Sequence, residues 1–190
     1  MNWKTIFNPF ERFDEKLLLT ISLFSLGLFL AAGYWSNTFF SSIYKINHVE
    51  QINFQNIAVP TLISFAVAII VLFMVGKIVN RKTRIIDIVN TVIISQLPLL
   101  IILPFEKISS INEAGEKIGN YHENAGSSFP VADFIIITSF SLITLTALIY
   151  SIIIYYNGFK TATNIKKWQH IALFAIVSFL TILICQLFNH

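Results

Sequence analysis

The sequence predicts an all-α, polytopic membrane protein: a five-helix transmembrane bundle with its N-terminus in the cytoplasm and its C-terminus outside. Three observations predict it. Hydrophobic residues make up 55% of the 190 and charged ones 12%, half of the roughly one quarter that soluble domains carry. Five apolar stretches follow one another, each about 27–39 Å long as a helix, against a hydrocarbon core of about 30 Å. Lysine and arginine collect in alternate connections. No linker rich in Pro, Gly or Ser interrupts the chain, so residues 1–190 read as one membrane domain.

Residues 1–16 come first. Trp3, Ile6, Phe7, Phe10, Phe13 and Leu17 recur every three or four residues, which is helical spacing. Asn8, Pro9 and Glu11 read as N-cap, first helical residue and capping partner. With Lys4, Arg12 and Lys16 beside it, the aromatic stripe either lies in the headgroup region or packs on the spans. Acidic and basic residues mixed ahead of the first apolar run, with no Ala-x-Ala after it, predict an uncleaved anchor. Residues 17–35 are the first span, in which Gly27 and Ala31 form a small-xxx-small pair suited to helix contact. Tyr34 and Trp35 are its interfacial anchors. Residues 36–56, with Lys45, His48 and Glu50, read as an exposed loop.

The second span covers 57–76, with Pro60 in its first turn. A basic loop holding Lys77, Arg81, Lys82 and Arg84 leads into the third span, 85–104, where Pro98 predicts a kink. Residues 106–130 form the outer loop; Ile108, Ile111 and Ile118 could mark a short helix, but Gly115, Gly119 and Gly126 favour irregular chain. Residues 131–156 are the fourth span, stopped at Asn157-Gly158. Its Ser and Thr residues on two faces (Ser141, Thr144 and Ser151; Thr138, Ser139 and Thr146) suggest a central helix. Lys160, Lys166 and Lys167 precede the fifth span, 171–188, and all three tryptophans, Trp3, Trp35 and Trp168, fall at span boundaries.

The N-terminus, the second connection and the fourth must share a side, and they hold ten of the thirteen Lys and Arg residues. The positive-inside rule makes that side the cytoplasm. The single cysteine, Cys185, excludes an internal disulfide.

No catalytic, cofactor-binding or metal-ligating set is visible: GxxxxGK, GxGxxG, HExxH and GxSxG are all absent, and the four histidines are scattered. Glu116, Tyr121, His122 and Glu123 could approach a metal, but a glycine-rich loop gives them no fixed geometry. The candidate residues lie on the third span. Asp87, Asn90, Thr91, Ser95 and Pro98 share one side, and Gln96 points away. They form either a polar seam for an ion or proton path, titrated at Asp87, or a packing device with Asp87 paired to Arg84 one turn earlier. The shallow position of Asp87 favours packing.

Three stretches give the chain a resemblance to the YIP (Ypt/Rab-interacting protein) family in its bacterial form. They are Asn8-Pro9-Phe10, the run from Arg84-Ile85-Ile86-Asp87 to Ser95-Gln96-Leu97-Pro98, and the segment from Asn157 to Lys167. The resemblance implies a five-span membrane fold. The long N-terminal region and Asp-Leu-Tyr-Gly-Pro motif of eukaryotic members are missing, so Rab binding is not implied. The expected protein is a non-enzymatic, multi-pass organiser or adaptor of the bacterial cytoplasmic membrane; the alternative is a small transporter or channel using the third-span seam. Expected partners are anionic lipid headgroups at the basic loops, worth about 1 kcal/mol per basic residue, and a protein or second copy, not nucleic acid.

Overall fold

The computed structural model describes residues 3–49, 52–122 and 129–188. Helix α1 (Trp3–Phe7) and a 3-10 turn (Pro9–Glu11) precede α2 (Glu15–Ser36). A hairpin, β1 (Thr38–Ser42) and β2 (Lys45–His48), leads to α3 (Phe54–Val79). Then come α4 (Ile85–Ser95), 3-10 segments Leu97–Ile101 and Leu103–Lys107, α5 (Ser109–Gly119), a 3-10 turn Asn120–His122, α6 (Val131–Thr163) and α7 (Trp168–Phe188). Among the described residues, four helices, α2, α3, α6 and α7, are long and apolar enough to cross a membrane. Large apolar side chains such as Leu23, Phe24, Ile70, Ile135, Leu142 and Phe179 point outward along them, as a lipid-facing surface requires.

The third span departs from a kinked helix. Pro98 and Pro104 each remove a backbone donor and crowd the preceding turn, so the α-helix stops at Ser95 and the chain continues as 3-10 turns. Leu99 N, Ile102 N, Phe105 N and Ile108 N bond to the carbonyls three residues earlier, at 2.9–3.1 Å. The run still crosses the bundle. Its start meets the start of α2 through Arg84 and Glu15, and its end meets the end of α2, where Lys107 Nζ lies 5.9 Å from the Trp35 ring. Nor is burial confined to one face: residues 90–96 are buried on all sides, so α4 is the innermost helix, packed against α2, α3 and α6.

The first connection is not an exposed loop. A reversal at Asn37, in the left-handed region (φ 58°), turns the chain back into the bundle. Gly33 is required there, because a Cβ would lie 2.7 Å from the Thr38 carbonyl oxygen. Phe40 N donates to Thr61 Oγ1 (3.2 Å), and Phe29, Phe40 and Phe65 pack edge to face or tilted, with centroids 5.3–5.7 Å apart. From Phe40 the strand runs about 10 Å further to Ile43, which is fully buried in one cluster with Ala68 and Leu72. Ala68 lies about 21 Å from one end of α3 and 17 Å from the other. The hairpin tip therefore reaches the middle of the bundle.

The N-terminal segment packs on the spans. Tyr150 donates to the Ile6 carbonyl (2.9 Å), Asn157 Nδ2 to the Phe7 carbonyl (2.8 Å), and the Phe7 ring meets Tyr150 edge to face at 5.7 Å. Asn8 makes no cap; its Nδ2 donates to Thr161 Oγ1 (3.3 Å). The Trp3 side chain and residues Glu50, Glu123 and Gly126 lie outside the described residues, whereas Trp35 and Trp168 are exposed at helix ends.

Three further expectations are corrected. Gly27 has open space where a Cβ would stand, with no atom within 4 Å, and Ala31 is exposed; α2 instead buries Leu18, Ser22, Ser25, Phe29, Gly33 and Ser36, its serine hydroxyls turned back to the carbonyls one turn earlier. Asn157-Gly158 does not stop α6, which runs to Thr163 and ends on left-handed Asn164 (φ 53°). At about 50 Å, α6 outreaches the hydrocarbon core. Part of the outer loop is helical: α5 packs on α6, with Lys117 and Asp133 paired at 3.4 Å.

Candidate functional site

The candidate residues gather where α4 begins. Arg84 precedes the helix in an extended conformation, which aims its guanidinium back along the first turn. Nε and Nη2 reach the two Asp87 oxygens at 3.0 and 2.9 Å, and Nη1 reaches Glu15 Oε2 of α2 at 2.5 Å. One cation thus bridges two carboxylates. The bonds to Asp87, then to Glu15, raise the Arg84 pKa above its already high value, so the guanidinium stays charged. Both Asp87 oxygens are thus engaged by Arg84.

Beneath this bridge lies a cavity of about 170 Å³ lined by Phe10, Arg84, Asp87, Asn90, Thr91 and Thr161, with Leu18, Gly158 and Ala162. Gly158 lets its walls close: a Cβ there would stand 2.6 Å from Thr91 Oγ1 and 2.8 Å from Phe10 Cε2. Thr91 bonds the Asp87 carbonyl (2.7 Å). Asn90, 1% exposed, accepts from Ser22 Oγ (2.8 Å); its amide NH2 has no partner among the described residues. The basic loop is tied to the same end, because Thr83 Oγ1 donates to the Gly76 carbonyl (3.0 Å) and Asn80 Nδ2 to the Thr163 carbonyl (3.2 Å).

Deeper along α4 the polar groups serve packing. Ser151 of α6 donates to the Ser95 carbonyl (2.5 Å), and Gln96 Nε2 donates to Ser95 Oγ (2.9 Å). Pro98 is buried, and Gln96, expected to point away, is fully buried as well. Ser42 Oγ and Tyr44 Oη of the hairpin, Gln96 Oε1, Thr144 Oγ1 and Ser178 Oγ are buried without a hydrogen-bond partner among the described residues, a pattern that buried water commonly completes.

Arg84, Asp87, Asn90 and Thr91 therefore share the cavity, while Ser95 and Pro98 belong to the interior seam. Sequence reasoning missed Glu15, Phe10, Gly158 and Thr161 as members of the site. Among the described residues no three His, Cys, Asp or Glu side chains cluster as a metal set. The three stretches that carried the family resemblance, around Phe10, around Arg84–Asp87 and from Asn157 onward, meet around this one cavity. The family profile described as the Yip1 domain matches residues 3–188. No curated protein and no solved structure matches the chain.

Proposed function

The chain belongs to the Yip1 domain family, and from that premise we propose that this multi-pass membrane protein is a non-enzymatic organiser or adaptor, acting through its packed bundle and its basic loops. One observation carries the reading: the acidic and hydroxylic groups of the third span are engaged inside the protein. Asp87 is closed by Arg84, Thr91 and Ser95 bond carbonyls of their own helix, and Asn90 accepts from Ser22. The Ser22–Asn90 bond, with Arg84 reaching Glu15, joins α4 to α2, and the other bonds close the polar groups locally. Arg81 and Lys82 remain exposed on the loop, where anionic headgroups or an acidic partner would meet them.

Affinity purification from native membranes, followed by mass spectrometry, tests the reading. A protein partner, a second copy or a retained lipid is expected, and recovery of the bare monomer would count against it. Transport through the seam makes the opposite demand on Asp87. In proteoliposomes, Asp87→Asn is expected to leave proton and cation permeability unchanged; a flux that depends on Asp87 would reinstate the channel reading.

We further propose that the cavity end faces the cytoplasm of a bacterial cell, supported by the ten of thirteen basic residues on that side. A reporter pair fused after His190 is expected to be active only outside, and cytoplasmic activity there would reverse the assignment.

A further inference from the structure

We propose that the cavity beneath Arg84 is the head end of a phospholipid site, whose tail end is an apolar groove between α6 and the α4–3-10 run. The inference deepens the organiser reading by naming the partner of its site. Two apolar hollows continue from the cavity. The first, of about 450 Å³, is walled by Pro9, Phe13, Ile94, Leu97 and Ile154, and Leu18 lines both it and the cavity. The second, of about 370 Å³, is walled by Leu142, Ile143 and Ala147, and shares Pro98, Ile101 and Tyr150 with the first.

The three succeed one another in order along both walls. On α6 they occupy Ala162–Gly158, then Ile154–Tyr150, then Tyr150–Leu142. On the facing chain they occupy Arg84–Thr91, then Ile94–Ile101, then Pro98–Ile101. Polarity falls along the way, from a lining with Arg84 and Asp87 to one in which Thr146 and Tyr150 are the polar residues. From Ile154 to Leu142 the apolar part measures about 18 Å, close to the roughly 15 Å of hydrocarbon in one leaflet. The break at Pro98 opens this groove, since the 3-10 chain presents fewer side chains per length than an α-helix would.

The charges choose the headgroup. Arg84 neutralises one of the two carboxylates that it bridges, so Glu15 and Asp87 together leave one negative charge in excess. A headgroup ending in a primary ammonium satisfies that excess; a purely anionic one does not. Arg12, bonded through Nη1 to Thr5 Oγ1 (2.7 Å) at the rim of the first hollow, supplies a counter-charge for the phosphate. Asn90 lines the cavity with its Oδ1 already engaged by Ser22, which leaves its amide NH2 to donate to a glycerol-ester carbonyl. The occupant is therefore a zwitterionic phospholipid of the phosphatidylethanolamine type.

Native mass spectrometry of the full chain, exchanged into nanodiscs holding equal parts of phosphatidylethanolamine, phosphatidylglycerol and phosphatidylcholine, tests this. One phosphatidylethanolamine per chain is expected to survive detergent release. Ile101→Trp fills the groove from an exposed position and is expected to lower retention roughly tenfold, about 1.4 kcal/mol, and Leu142→Trp, also at an exposed position, is expected to do the same. Asp87→Asn should erase the headgroup preference while leaving lipid bound. Preferential phosphatidylglycerol, or retention that neither tryptophan alters in a folded protein, would overturn the proposal. A co-purifying protein or second copy with no retained lipid would sink this proposal and leave the organiser reading standing.

Discussion

Gly158→Val is expected to drive α4 and α6 apart and to release the N-terminal segment from both. A Cβ at this position meets Thr91 Oγ1 at 2.6 Å, Thr91 Cγ2 at 2.7 Å and Phe10 Cε2 at 2.8 Å. None of these can yield easily: Thr91 is fully buried with its hydroxyl tied to the Asp87 carbonyl, and Phe10 belongs to a turn held by Asn8 and Thr161. Overpacking costs about 1–3 kcal/mol, and three contacts below 3 Å from the Cβ alone place valine at the upper end. Thermal unfolding in detergent should report the loss. Thr91→Ala should recover part of it, because it removes the nearest obstruction; no recovery in the double variant would mean that the helices meet elsewhere.

Ile43→Asp is expected to have the larger effect. Ile43 is 0% exposed at the hairpin tip, among Ala68, Leu72, Val75, Ile88 and Tyr155. An unpaired charge at such a depth belongs to the substitutions that cost more than about 4 kcal/mol. Loss of the monodisperse peak on size exclusion and rapid proteolysis should follow. Ile43→Val, which removes one methylene, should cost only about 0.5–1.5 kcal/mol. Equal tolerance of both would show that the tip lies in water.

How much of this was legible in the sequence follows from physics. The long apolar runs of α2, α3, α6 and α7 stand out because lipid demands them irrespective of what packs nearby. The Arg84–Asp87 pair was readable for a similar reason, since three residues on a helix fix neighbours locally. Glu15, the second carboxylate on Arg84, lies 69 residues away, and no local pattern joins the two. Gly158 misled because Asn-Gly is a common helix stop in water, whereas between membrane helices a glycine also permits close approach. The hairpin was hidden because Thr38, Ser41 and Ser42 look like loop residues, although all three are buried. Their polarity is met in part by the backbone and by one another: Ser36 and Thr38 hydroxyls lie 2.6 Å apart, and Ser41 donates to the Lys45 carbonyl.

That hairpin also constrains the order in which the chain is assembled. Each of its strands has an outer row of backbone amides and carbonyls, and a two-stranded ribbon alone in hydrocarbon would leave those rows unsatisfied. The ribbon therefore cannot enter the bilayer with α2 and α3 as they leave the ribosome. It must wait on the far side until walls exist to receive it. One of those walls is α7, which packs on β1 and α3 and is the last helix of the described chain to be made. Phe174 of α7, stacked on Phe159 at 4.7 Å and tilted against Tyr155 at 5.2 Å, shares the cluster of Ile43 at the hairpin tip, so the ribbon can settle only once α7 stands beside it.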